Sequence, residues 1–352
     1  MSAPLIHTQI DRRDGEDVWF RFTLSQLPAS PWKLHFCLAR HIDPQSVEGG
    51  SLARQSGSYK VLVPHEGVSE LRFCCRNTPI KRYSDLPQGF FLSLTDEGAQ
   101  AQLQPVVQTG QDLGLPPSPA VTPDLPEVEP ANGIVPQPAQ LRLPEGNFRL
   151  AERAHVSGPV SLAPLLAHFN ELTGLALTQD HDAEIHLVEA PLPQEAYQLV
   201  ITTEEIRIRA AGEAGWRHGL VTLAQWALQH GESLPCLEVE DAPRFGFRGI
   251  FLDCARHFHS IATLKRLLKQ MSLYKFNRFH WHLTDDEGWR LEIKAFPRLT
   301  EVAAWRGHGL AVGPQLSGGP EPYGGYYTQS EVRELVAYAA GLGITIIPEI
   351  DI

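Results

Sequence analysis

The sequence predicts a multidomain chain with three parts. These are a β-sandwich-like region, a small α/β unit, and the opening βαβαβ run of a parallel sheet of the kind that closes into a (β/α)8 barrel. Three observations carry this. Residues 1–104 hold short, partly alternating apolar runs separated by turn residues, the pattern of a sandwich. Residues 105–138 are dense in proline, with few periodic apolar positions, as in a stiff extended spacer. From Phe245 onward, strand-like and helix-like runs alternate, the pattern of a parallel α/β sheet.

In the first region, Val18–Leu24, Trp32–Leu38, Ser58–Val63, Glu70–Cys75 and Gly89–Leu94 read as strands, with Gly49-Gly50, Pro64 and Pro79 between them. Trp19, Trp32, Phe36 and Phe73 fit a sandwich core better than an exposed sugar-stacking face. Residues 139–243 form the small α/β unit. Ser161 is placed to cap a helix whose Leu162, Leu165, Leu166, Phe169 and Leu172 share one face, and Glu184–Val188 is a strand. Tyr197–Ile201 and Ile206–Arg209 flank a short polar turn, as in a hairpin, and a second helix carries Trp216, Leu220, Leu223 and Ala227 on one stripe. His186 and His218 read as structural or exposed.

Residues 244–352 begin with the buried-type strand Phe247–Asp253. Ser260 caps the next helix, which keeps Leu264, Leu267, Leu268, Met271 and Tyr274 at helical spacing. In the following strand Phe279, Trp281 and Leu283 alternate with Arg278, His280, His282 and Thr284, so both faces are substantial, as in a strand covered on both sides. Thr328-Gln-Ser-Glu331 is a capping box, its helix carries Val332, Leu335, Val336 and Ala339, and Ile344–Ile347 is a third strand. A full barrel needs about 250 residues, so the reading is of a catalytic domain entered but not completed by Ile352.

The bulk numbers narrow the function. The chain has 352 residues, 43% hydrophobic and 20% charged, with a net charge of −11. That balance describes a soluble globular protein and disfavours a nucleic-acid binder, which usually carries a basic face. No run approaches a membrane span, and the first residues lack the apolar stretch of a signal peptide. Five cysteines, Cys37, Cys74, Cys75, Cys236 and Cys254, match no zinc or disulfide spacing. The expectation is reduced thiols in a cytoplasmic protein, or a periplasmic or secreted one if an export signal has been removed.

The chemistry gathers around the strands. Three strand ends supply Arg248 with Asp253, His280 and His282 with Asp285 and Asp286, and Glu349 with Asp351. The C-terminal strand ends are where α/β barrels keep their active sites. Clustered acids and histidines suit general acid–base work, because burial and mutual repulsion separate their pKa values. His-x-His plus a carboxylate also suits a metal ion.

Four segments then carry a resemblance: Arg248–Phe258, His280–Arg290, Tyr323–Thr328 and Pro348–Asp351. In that order and at those separations they closely resemble glycoside hydrolase family 20, the β-N-acetylhexosaminidases. Tyr197–Ile201 and Gly215–Leu223 resemble the small α/β domain that precedes the barrel in that family. The resemblance covers roughly the last three-fifths of the chain. It implies a (β/α)8 TIM barrel that removes terminal β-linked GlcNAc or GalNAc with retention, without cofactor or metal. The sugar's own acetamido oxygen attacks C1, an exception to the two-carboxylate scheme. It further implies that Arg248 binds the ring hydroxyls, that Asp285 belongs to a polar relay behind the acid, and that Asp286, His280 and His282 line or brace the site, with Glu349 and Asp351 on its rim. No catalytic residue is assigned within this chain: the family's aspartate–glutamate pair lies on a later strand. The implied partner is an amino-sugar oligosaccharide or glycoconjugate. Two rivals are a metal-dependent barrel hydrolase built on His280 and His282, and a non-catalytic sugar-binding fragment.

Overall fold

The computed structural model describes residues 3–29, 31–80, 82, 85–94, 102–112, 133–159, 162–316 and 318–352. Three large apolar cores organise them, with a small fourth cluster of Tyr59, Val61 and Phe91.

The first core lies between two sheets. One runs in the order Glu70–Cys75, Asp17–Ser25, Leu5–Asp14, Val107–Asp112. The other runs Gly50–Ser56, Tyr59–Pro64, Lys33–Cys37, Gln88–Ser93, Leu103–Pro105. Phe22 of the first sheet meets Phe36 and Phe90 of the second edge-on, with ring centroids 5.3 and 5.5 Å apart. Phe36 and Phe73 are therefore core residues, while Trp19 lies under the Arg12 guanidinium. The first residues of the proline-dense spacer expected from residue 105 form a strand instead. Val107–Asp112 pairs in parallel with Leu5–Asp14, because a short polar segment satisfies its backbone on an open sheet edge. The run Pro116–Pro119 and the Ser161 cap lie outside the described residues.

The second core fills one face of a seven-stranded mixed sheet, ordered Gln140–Arg142, Leu237–Asp241, Tyr197–Ile201, Ile206–Ala210, Ile185–Glu189, Arg153–Ser157, Ala176–Gln179. Tyr197, Leu199, Ile201, Ile206 and Ile208 are buried beneath the helices Ala163–Thr173 and Glu213–His230. Their neighbours Arg207 and Arg209 face solvent, as period-two alternation requires. Ile134 joins this core, and Gln225 holds both the N–H and the carbonyl of Val135. The last residues of the expected spacer thus lie on the second body.

The third core surrounds three parallel strands. Arg278–Asp285 is central, between Gly249–Asp253 and Thr345–Ile350. The helices Ile261–Leu273 and Gln329–Gly341 return the chain each time. Ser260 caps the first by accepting from the Thr263 N–H, and the Thr328–Glu331 box closes the second reciprocally. Phe279, Trp281 and Leu283 are buried in this core with Leu264, Leu268 and Leu335. All five cysteines are buried, and no disulfide joins them.

Candidate active site

The C-termini of the three parallel strands meet in one polar cluster, and Arg256 is its hub. Arg256 follows the first strand and sits beyond its last residue, Asp253. Its backbone N–H donates to Asp253 Oδ1 at 2.9 Å. Its guanidinium reaches Asp253 Oδ2 at 3.1 Å, Asp285 Oδ2 at 2.6 Å and Glu287 Oε2 at 2.9 Å. It also lies 3.2 Å from His282 Nε2. A planar fork of donors suits such convergent carboxylates. The side chain keeps 37% of its surface open to solvent, so it is still accessible to a ligand.

The second strand contributes His282 and Asp285. His282 is 3% exposed. Its Nε2 is 3.2 Å from Asp285 Oδ2, and its Nδ1 is 2.9 Å from Glu349 Oε2 of the third strand. The second approach is close, but both atoms lack a hydrogen-bond partner. The contact is an ion-pair distance without hydrogen-bond alignment. Burial alone would raise the Asp285 carboxyl, but the Asp286 backbone N–H, Arg256 and His282 outweigh it and hold it below the usual carboxylate range. His280 Nε2 reaches the same Glu349 oxygen at 2.9 Å. Asp351 joins through its backbone: its N–H donates to Thr284 Oγ1, which donates in turn to the Asp351 carbonyl. Phe251 presents its ring to His280 and His282 at 4.9 and 5.9 Å.

Beneath the cluster, Arg290 is fully buried and acts as a strut. Its guanidinium donates to the carbonyls of Cys254, Ala255, Ala304 and Gly325. Those acceptors tie the loop after the first strand to the long segment after the second. Gly288 is required here, since a Cβ at that position would stand 2.9 Å from the Ala255 carbonyl and overlap the guanidinium.

The structure thus brings together His280, His282, Asp285, Glu349 and Asp351. Asp286 is exposed and supplies the cluster with its backbone N–H. Arg248 requires a correction. It precedes the first strand and lies at the opposite, N-terminal end of the sheet. Its side chain is 15% exposed and pairs with Glu195 of the second body at 2.7 Å. It also donates to the carbonyls of Phe245 and Lys275. The Arg248 hydrogen bond is the main reason that the Glu195 carboxyl is held low. Arg248 joins two bodies and faces no site at the strand C-termini. The residues missed from sequence are Arg256 and Glu287. Strand direction was the available signal: of two arginines flanking one strand, the one after it reaches the C-terminal rim.

Two domains of one sequence family match the chain. The model described as "Glycosyl hydrolase family 20, catalytic domain" matches residues 245–352, and "Glycosyl hydrolase family 20, domain 2" matches residues 131–242. A beta-hexosaminidase from Vibrio furnissii is 39% identical over 351 residues, covering 94% of this chain and 56% of that protein. An N,N'-diacetylchitobiase from Vibrio harveyi is 39% identical over 194 residues, 51% of this chain and 22% of that protein. Among solved structures, a GH20 exo beta-N-acetylglucosaminidase from Vibrio harveyi, in complex with N-acetylglucosamine, superposes with a TM-score of 0.89 at 34% identity. It covers 100% of this chain and 57% of its own. A beta-N-acetylhexosaminidase from Bacteroides fragilis gives 0.55 at 33% identity, over 63% and 45% of the two chains. The chain spans little more than half the length of the Vibrio furnissii relative and of the Vibrio harveyi structure, and less of the other two.

Proposed function

Because the chain belongs to glycosyl hydrolase family 20, we propose that it forms part of a β-N-acetylhexosaminidase acting on terminal β-linked N-acetylated amino sugars. The observation that carries this is the convergence of Arg256, Asp285, His282 and Glu349 at the C-terminal ends of three parallel strands. The similarity to an enzyme solved with N-acetylglucosamine supports the sugar class. We also infer that the three strands open a (β/α)8 barrel, that residues 139–243 are the accompanying small domain, and that residues 1–104 are an accessory one.

In the proposed reaction Arg256 is the recognition group. Its partners Asp253, Asp285 and Glu287 lock its plane, and its open edge donates to vicinal ring hydroxyls. A guanidinium suits such a pair because its two N–H vectors are parallel. Asp285 and His282 form a polar relay, with Glu349 at ion-pair distance from its far nitrogen. Such a relay holds proton positions behind a general acid and lets charge redistribute as the glycosidic oxygen is protonated. The acetamido oxygen of the substrate supplies the nucleophile, so the cluster has to orient the sugar rather than attack it. The general acid itself is not assigned to a residue described here.

The test is the hydrolysis of an aryl β-N-acetylglucosaminide by a longer polypeptide containing this chain, with Arg256→Lys as the probe. Loss of kcat/KM in the variant is expected. Absence of turnover by the parent protein would overturn the proposal. One observation favours a second reading. Ligand atoms of His282, Glu349 and Asp351 lie within 4.8 Å of one another, as a metal-dependent hydrolase would need. Chelation separates the two, since only the second reading predicts activity lost to a chelator and restored by a divalent ion.

A further inference from the structure

The first body does not stand apart from the strand-end cluster. Its second sheet presents a face built on His35, which is 3% exposed. His35 stacks on Phe91 at 4.6 Å with rings nearly parallel, and its two nitrogens contact the Tyr59 hydroxyl at 2.6 Å and Ser93 Oγ at 2.8 Å. Every polar atom of the ring is therefore matched, which makes this a rigid platform.

A segment of the third body is seated on it. His308 meets His35 and Phe91 edge-on, at 5.1 and 5.7 Å. The Gly313 backbone lies so close to the Tyr59 ring that a Cβ there would stand 2.9 Å from Cδ1. The Leu316 N–H donates to Ser58 Oγ at 3.3 Å. The other flank of the segment is held by Arg306, which is 3% exposed. Its guanidinium lies over the Tyr323 ring at 4.7 Å and donates to the Glu287 carbonyl at 3.3 Å. Glu287 is one of the three carboxylates that fix Arg256.

We propose that the first body is a positioning element for the sugar site: its Tyr59–His35–Phe91 face seats residues 306–316, and through Arg306 and Glu287 that seat holds Arg256 in its recognition geometry. The contact chain runs from one body to the other without a gap. The links at the His35 face are buried or stacked, and those through Arg306 and Glu287 are part-buried hydrogen bonds and ion pairs, so displacement at one end is passed along the chain of contacts. Arg306 and Glu287 are thus positioning residues rather than groups that touch substrate. The assignment of Arg256 to the sugar rests on the family-20 reading above. The mechanical coupling does not.

Gly313→Val tests the coupling, because it lifts the segment off the Tyr59 ring without changing the first body. Amide hydrogen exchange on this 352-residue chain is the primary readout. Exchange over residues 306–316 is expected to accelerate by about tenfold or more, and exchange over 283–291 with it. Peptides from Leu5–Ser25 and Glu70–Cys75 should stay as in wild type, which also shows that the protein has folded. Tyr59→Phe keeps the ring and should leave residues 306–316 protected. His308→Ala removes the edge contact without adding bulk and serves if the valine variant does not fold. Loosening confined to 306–316, with 283–291 unchanged, overturns the proposal, as does unchanged protection throughout. In an active longer polypeptide, Gly313→Val should raise KM about tenfold while kcat changes less than about twofold. A wild-type protein without hexosaminidase activity would defeat the proposed function, while the exchange result would still decide the coupling.

Discussion

Acidification is expected to loosen the first body through His35, and the size of the effect follows from its surroundings. Burial, and then the neighbouring His308, Lys33 and Arg54, push the imidazole down from 6.5 to about 3. The native state therefore holds His35 neutral, whereas the unfolded chain takes up a proton near pH 6.5. A depressed histidine pKa contributes stability that is complete above 6.5 and is lost as pH falls from there towards 3. Between pH 7 and pH 5 the linkage relation gives a loss of about 2 kcal/mol from this one group. His35→Phe isolates it. Phenylalanine keeps the stack on Phe91 but strands the Tyr59 and Ser93 hydroxyls, which costs about 1–3 kcal/mol at neutral pH. The informative quantity is the difference in pH dependence. Denaturant unfolding, read by hydrogen exchange of peptides spanning Lys33–Cys37 and Gln88–Ser93, should show wild type losing about 2 kcal/mol more than the variant between the two pH values. Equal losses in both proteins would refute the assignment of His35 as a buried neutral base.

Arg256→Lys in an active polypeptide should lower kcat/KM by roughly 10–100-fold with little change in melting, because lysine keeps the charge but loses the planar fork; equal kinetics would remove Arg256 from recognition. Arg248→Ala should do the reverse, with stability falling by about 2–4 kcal/mol as Glu195 loses its part-buried partner, and kinetics moving less. Arg290→Lys should destabilise the third body by roughly 3 kcal/mol or more, since one ammonium cannot serve four buried carbonyls; a melting temperature within a degree or two of wild type would contradict this. The isolated 352-residue chain should associate, because Gly249–Asp253 and Thr345–Ile350 each have one edge unpaired among the described residues, and Phe251, Ile347 and Ile350 are exposed beside them. A monodisperse monomer in light scattering would show that these edges are protected.

What could be read from sequence was mostly what neighbours in sequence decide. The Ser260 cap and the Thr328–Glu331 box depend on residues three apart, and both were legible. So was the alternation of Phe279, Trp281 and Leu283, whose burial follows from strand period alone. The role of Arg248 was not, because its partner Glu195 lies 53 positions away on another body, and no local pattern announces that pairing. Arg256 was closer to legible, since the direction of the strand determines which flank reaches the site. Val107–Asp112 was hidden by the prolines around it. Its strand character comes from the edge that Leu5–Asp14 offers, a fact about the partner rather than about the segment. The seat of residues 306–316 on the first body was beyond reach for the same reason.

Lys275 has a consequence for anyone who would recombine these parts. Its ammonium is buried at the seam between the second and third bodies, donating to the Tyr197 hydroxyl at 2.8 Å and to Asp241 at 3.1 Å. Glu195 meets Arg248 across the same seam, and His168 meets Ser272 at 2.9 Å. These are matched polar pairs, with one member on each side of residue 243. A graft that takes residues 245–352 from one family member and 131–242 from another would separate donors from acceptors in a largely buried seam. The unit of exchange is therefore the two bodies together. A chimera cut between them should need Glu195, Asp241, Arg248 and Lys275 transplanted as a set before it folds.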